Sequence, residues 1–191
     1  MKHLMTLERK NAYKQMFKAV SNTPLLRADY NGNTFFFKCE YQNAYGNCHY
    51  ARVFAYILYL KEMLGIISPG DILLETTSGS GGRAAAAVAT AMGYTIHIGL
   101  PAGGEKARED AIIKAGGVLH LTPAEDYVSG FPAFVSEFLE ANKGVKYINH
   151  CMSNILGRGS DINHGAIQAI ASIVEESVLQ MKEMGFERFD Y

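Results

Sequence analysis

Seven consecutive residues, Thr76-Thr77-Ser78-Gly79-Ser80-Gly81-Gly82, combine hydroxyls with glycines in a way that suits an anion. At the opening of a helix, hydroxyls and backbone N–H donors converge on one point, and the helix macrodipole adds partial positive charge there. A carboxylate or phosphate is the ligand such a turn takes, and this stretch is richer in hydroxyls and glycines than a plain strand-to-helix turn requires. The same stretch read as Gly79-Ser80-Gly81-Gly82-Arg83-Ala84 satisfies a dinucleotide glycine pattern. Its supporting acid, due about 20 residues later to bind a ribose, is missing from Ile98-Gly99-Leu100-Pro101, so NAD is set aside.

Cys48-His49 and His150-Cys151 are two adjacent pairs of soft-metal ligands, and four such side chains could hold zinc. Neighbours on one helix point about 100° apart, however, so both members of a pair seldom reach one ion. The paired-ligand spacing of zinc sites is also absent, and no metal site is assigned. A metal-dependent enzyme using Cys48, His49, His150 and Cys151 is kept as the more distant alternative. His97 and His120 fall within predicted strands and read as satisfied structural histidines. No segment resembles the nucleophile elbow of a serine hydrolase.

The elements that must position the loop follow from periodicity. Leu7–Val20 spaces Tyr13, Met16, Phe17 and Val20 for one helical face, and Pro24 closes it soon after. Residues 24–27 and 34–39 make a hairpin around Asn31-Gly32-Asn33. Tyr50, Val53, Ile57, Leu60 and Leu64 define a longer helix with Gly65 as its cap. Beyond Asp71, apolar stretches at residues 72–74, 95–100, 118–121 and 145–148 alternate with helical ones at 83–92, 106–115 and 131–141. Alternating strands and helices mean an α/β protein with an open parallel sheet and helices on both faces. Right-handed crossovers then place function at residues 75–82, 101–104 and 150–159, along one sheet edge.

Composition narrows the class further. With 18 basic and 19 acidic residues the chain carries a formal charge of -1, so no overall positive field favours nucleic acid or an anionic membrane. Its 48% hydrophobic and 19% charged residues describe an ordinary globular domain. Three cysteines, Cys39, Cys48 and Cys151, lack the regular spacing of a disulfide framework, and residues 1–10 carry charges without an apolar signal core. A cytoplasmic protein is expected.

Several of these segments, in order, resemble the cysteine synthase-like, fold-type-II pyridoxal-phosphate enzymes. Ser21-Asn22-Thr23-Pro24-Leu25-Leu26 is similar to that family's N-T-P-L opening, and Lys38-Cys39-Glu40 to its K-x-E strand. Pro69-Gly70-Asp71 leads into Glu75-Thr76-Thr77-Ser78-Gly79, which resembles the T-S-G-N-T substrate loop. Gly93-Tyr94, Leu100-Pro101 and Tyr147-Ile148-Asn149-His150 fall where the family has G-Y, M-P and Y-x-N-Q. The resemblance implies the N-terminal part of the tryptophan synthase beta-like fold. Residues 1–42 would contribute a helix and hairpin to an incomplete larger domain. Residues 43–143 would form a smaller αβα domain with the substrate loop, and residues 144–191 would return to the larger one.

The resemblance also implies pyridoxal phosphate, held by a lysine Schiff base and used to eliminate or replace an amino acid's β-substituent. Thr77, Ser78, Gly79, Ser80, Gly81 and His150 would meet the substrate, a small amino acid or carboxylate, and Ser80 and His49 the cofactor. The family lysine aligns with His49, whose imidazole forms no internal aldimine. Ser80 and Gly81 stand where the family has Asn and Thr, and His150 where it has Gln. No segment matches the G-T-G-G-T phosphate loop. A degenerate or truncated protein is therefore expected, without autonomous catalysis or a covalent cofactor, and working as a homo-oligomer or with a completing chain. The alternative is an active β-replacement enzyme or lyase completed by a partner or a longer gene product.

Overall fold

The computed structural model describes residues 5–150 and 159–190, with α6 side chains described from Ala166 onward. The chain opens with α1 (Leu7–Val20), whose N-cap Thr6 hydroxyl accepts the Arg9 N–H and whose buried face is Tyr13, Met16 and Val20. A hairpin follows, β1 (Leu25–Tyr30) and β2 (Asn33–Lys38). Its turn is only Asn31-Gly32, both at positive φ (50° and 75°), the two-residue geometry that matches strand twist. The first strand runs three residues beyond the sequence expectation, and the turn takes two residues rather than three because Asn33 joins β2 and pairs with Tyr30.

The next helix, α2 (Tyr50–Met63), is buried on more than the expected stripe. Val53 and Ile57 are buried as the spacing requires, but so are Ala51, Phe54, Ala55, Leu58, Lys61 and Glu62, since α1, α3 and α6 all pack against it. Leu64 lies beyond the helix end and is 57% exposed, which removes it from the stripe. Gly65, at φ 67°, terminates the helix as expected.

The alternating part folds as predicted. Strands β3 (Ile72–Thr76), β4 (Thr95–Pro101), β5 (Val118–Thr122) and β6 (Lys146–Tyr147) form one parallel sheet in the order β5-β4-β3-β6. Helices α3 (Ser80–Ala91), α4 (Lys106–Lys114) and α5 (Phe131–Ala141) connect them, and α6 (Gly159–Glu183) returns across α2 and the hairpin. Side-chain alternation divides the sheet's faces. Ile98 on β4 points toward Gly82 of α3, whereas His97, Gly99 and His120 lie under Phe134 and Phe138 of α5. Helices thus cover both faces. One departure bears on function: α3 opens at Ser80, not at Arg83.

Among the described residues, no helix is long and apolar enough to cross a membrane. Ile167, Ile170 and Val174 form an exposed apolar stripe along α6.

Candidate functional site

The C-terminal ends of β3, β4 and β6 meet at one edge, and the hydroxyl-glycine segment lies there. Thr77 N–H donates to the Gly99 carbonyl at 2.9 Å, which ties the turn to β4. The buried Thr77 hydroxyl then accepts the N–H groups of Gly79 (3.2 Å) and Gly82 (3.1 Å). Thr77 is thus the internal brace of the turn. Glycine at 82 is required by space: a Cβ there would stand 2.5 Å from the Thr77 methyl and 3.0 Å from Ile112.

Because α3 begins at Ser80, residues 80–82 are its first turn, with Gly79 as an N-cap that has no side-chain cap bond. Ser80 and Gly81 hold the first two helical N–H groups, which no carbonyl within the helix can reach. Those donors, the macrodipole and the exposed Ser78 and Ser80 hydroxyls make an anion-receiving turn. Thr77 therefore braces the turn from beneath, while Ser78 and Ser80 are exposed and Gly81 is buried.

The surroundings come from three elements. Cys48 Sγ lies 3.7 Å from the Ser80 carbonyl, and burial pushes its thiol pKa up, so it is a poor thiolate at neutral pH. A Cβ on Gly81 would come within 3.8 Å of both His150 Nε2 and Tyr50. His49 stacks against the Tyr50 ring, with centroids 4.4 Å apart. Arg108 of α4 reaches the Ser78 carbonyl at 3.5 Å across a cleft of about 310 Å³. That cleft is lined by Ser78, Pro101, Gly103, Gly104, Arg108 and Tyr127, which places the expected 101–104 loop at the site. The structure thus brings Cys48, Tyr50 and His150 to residues 77–82 at one edge, whereas the contact seen for His49 is with its neighbour Tyr50.

Cys151 and most of the 150–159 segment lie outside the described residues. Among the described residues there is no group of three or more histidine, cysteine or acidic side chains that could hold a metal.

Sequence reasoning included Glu75 in the functional stretch 75–82 without giving it a role of its own. Glu75 is 1% exposed, at the end of an otherwise apolar strand. Its Oε1 accepts Thr76 N–H at 2.7 Å and lies 3.2 Å from His150 Nδ1, while Oε2 accepts His150 N–H at 2.9 Å. A carboxylate closing the buried run Leu73-Leu74 was the available signal.

A Schiff base needs a primary amine beside the turn. Cys48, Tyr50, His150 and Arg108 are among the side chains against it, and the two buried or half-buried lysines are committed elsewhere. Lys38 Nζ donates to the Thr23 carbonyl at 2.6 Å and pairs with Glu176 at 3.0 Å. Lys61 Nζ donates to the Tyr147 carbonyl at 3.3 Å. Neither Lys38 nor Lys61 therefore offers its amine to the turn.

Comparison with known proteins gives the same family as the motifs. A family profile described as pyridoxal-phosphate dependent enzyme matches residues 16–191. Cysteine synthase 2 of Emericella nidulans is 33% identical over 110 residues, 54% of this chain and 26% of its own length. Cysteine synthase B of Pseudomonas syringae is 32% identical over 130 residues, 66% of this chain and 74% of its own. In fold, the chain is similar to diaminopropionate ammonia lyase of Escherichia coli, with a TM-score of 0.72 at 20% identity. That match covers 95% of this chain and 54% of the lyase, so the chain spans about half of that relative's length.

Proposed function

The chain belongs to the pyridoxal-phosphate-dependent enzyme family, and from that membership we propose that it is a cysteine synthase-like protein that binds small amino-acid carboxylates without attaching the cofactor itself. Members of the family bind pyridoxal phosphate. The observation that carries the reading is the first turn of α3. Thr77 consumes the N–H groups of Gly79 and Gly82 and leaves those of Ser80 and Gly81 for a ligand. An amino acid's carboxylate fits two N–H groups and a hydroxyl, and the adjoining cleft gives its side chain room. His49 at the family lysine position and the engagement of Lys38 and Lys61 support the absence of a covalent cofactor. A cytoplasmic setting belongs to the same proposal, supported by the free thiols of Cys39 and Cys48.

A second reading, an active β-replacement enzyme or lyase completed by another chain, is favoured by one observation. The exposed α6 stripe of Ile167, Ile170 and Val174 is a face on which such a chain could pack. One experiment separates the two. The protein is mixed with pyridoxal phosphate, reduced with borohydride and peptide-mapped, alongside a His49→Lys variant. The proposal expects only weak, salt-sensitive labelling spread over surface lysines, with site-specific labelling confined to the variant. Stoichiometric labelling of one wild-type lysine would overturn it in favour of the active enzyme.

A further inference from the structure

We propose that the cleft beside the first turn of α3 selects amino acids whose side chain carries a second carboxylate, and that Arg108 is the residue that recognises it. The inference rests on the proposed reading of the turn as an α-carboxylate site and names the ligand class that site takes.

The chain's arginines are engaged to different degrees. Arg9 donates twice to Glu62 at 2.8 Å, Arg52 bridges Glu40 at 2.8 Å and Glu176 at 2.6 Å, and Arg83 reaches Asn47 at 2.7 Å. Arg108 differs from all three. Among the described residues its polar contacts are the Ser78 carbonyl at 3.5 Å and Glu105 at 3.9 Å, both longer than a good N–H···O bond. Glu105 sits one turn earlier with its side chain 77% exposed, so that pair is a weak surface one. Lys106, the other cation in the first turn of α4, is already paired with Glu109 at 3.2 Å and Asp110 at 3.1 Å.

Position turns this loose guanidinium into a recognition group. Arg108 lines the cleft of about 310 Å³ together with Ser78, Pro101, Gly103, Gly104 and Tyr127. The two glycines add no side chain to that wall. Tyr127 completes it from a backbone at φ 45°, the left-handed region that a bulky residue enters only at a cost. Thr122 gives a further sign that the cleft is built for a polar ligand. It pairs in register with Pro101, its carbonyl accepts Ala102 N–H at 2.9 Å, and both of those neighbours line the cleft. Thr122 is 2% exposed, yet its hydroxyl has no hydrogen-bond partner, a state that buried polar groups seldom keep.

The spacing then sets the ligand. Ser78 lies two residues before Ser80, whose N–H the Thr77 brace leaves over, and two residue steps span at most about 7 Å. A dicarboxylic amino acid with a hydrogen bond at each end bridges such a gap. Its α-carboxylate meets the helix N-terminus, and its side-chain carboxylate meets the planar fork of Arg108, which matches that group with two parallel donors. A side-chain amide has the same shape but brings no charge to the guanidinium.

The test therefore compares L-glutamate with its neutral isostere L-glutamine, titrated into the full chain at neutral pH. It follows the backbone amides of residues 78–83 and the Arg108 side-chain N–H resonance. L-Glutamate is expected to bind about tenfold more tightly, as one charge-assisted pair would give, and the difference should shrink as salt is added. In Arg108→Gln, L-glutamate should fall to the affinity of L-glutamine, which itself stays unchanged; Arg108→Lys should keep part of the preference. L-Serine, which reaches only the turn, should bind the wild type and Arg108→Gln alike. Lys114→Gln removes a charge from the far end of α4 and should keep the full preference, which separates recognition by Arg108 from the field of the helix. Equal affinity for L-glutamate and L-glutamine, or a preference that survives in Arg108→Gln, would overturn the proposal and leave the carboxylate turn standing. Silent amides at residues 78–83 with all three ligands would overturn the turn itself as a carboxylate site.

Discussion

The junction of hairpin, α2 and α6 and the C-terminal edge of the sheet both contain buried carboxylates, but they are completed to different degrees. At the junction Arg52, 3% exposed, donates to both oxygens of Glu40 (2.8 and 3.1 Å) and both oxygens of Glu176 (2.6 and 2.8 Å). Lys38, Thr23 and Ser172 fill the remaining positions. Each charge there meets an opposite charge that persists across the physiological range. At the sheet edge, Glu75 meets two backbone N–H groups and an imidazole, the side chain whose charge changes near neutral pH. A network of permanent charges fixes elements in place; one with a titratable arm changes with pH.

The largest effect should come from breaking the completed network. Arg52→Ala leaves Glu40 and Glu176 facing each other without their shared cation, and such a loss costs about 3–5 kcal/mol. Urea denaturation would measure it. Arg52→Lys should fall between the variant and the wild type, since it keeps the charge but not the paired donors. A loss below about 1 kcal/mol in Arg52→Ala would place the junction among ordinary surface ion pairs and dissolve the contrast.

A smaller effect should come from crowding the site. A Cβ on Gly82 meets the Thr77 methyl at 2.5 Å, Ile112 at 3.0 Å and Ile98 at 3.2 Å, so Gly82→Ala should cost about 1–3 kcal/mol and displace the Thr77 brace. Gly104, across the cleft, has nothing within 4 Å of the same probe position, and Gly104→Ala should stay within about 0.5 kcal/mol. Thermal melts and L-serine titrations of both would show whether stability and binding fail together at Gly82. Full binding in Gly82→Ala would mean that Thr77 does not shape the turn.

This contrast also marks how far the sequence could be read. The parallel sheet was legible because residues 72–74, 95–100 and 118–121 are apolar runs punctuated by helix-period segments. The turn was legible because glycine and hydroxyl types report backbone needs directly. The start of α3 was not, since Ser80-Gly81-Gly82 has the composition of a loop while tertiary packing against Ile98 and Ile112 makes it helical. Glu75 and His150 lie 75 positions apart, and Glu62 meets Arg9 from 53 positions away. No local pattern encodes such pairings. The Glu62 cluster, completed by the hydroxyls of Tyr13 and Tyr94, belongs with Arg52 on the structural side.

The smallest expected effect separates the two regions by pH. His97 and His120 share a hydrogen bond of 2.8 Å under Phe134 and Phe138, so one donates and the other accepts while both rings are neutral. Burial lowers the pKa of both, and the proximity of His120 lowers His97 further. The folded pair binds protons less readily than the unfolded chain. Its contribution is therefore complete above the unfolded imidazole value of about 6.5 and is lost as pH falls through the lower folded values. For Glu62 and Glu176 burial pushes upward, but hydrogen bonds outweigh it and hold both below the usual carboxylate range. Arg9, Tyr94 and Tyr13 act on Glu62, and Arg52, Asn22 and Lys38 on Glu176. Their contribution is present above the unfolded value of about 4.3 and is lost below it. Stability without ligand should thus fall in two steps, a small one beginning near pH 6.5 and a larger one in acid, and His97→Gln should remove only the first. A single acid step in both the wild type and His97→Gln would uncouple the histidine pair from folding.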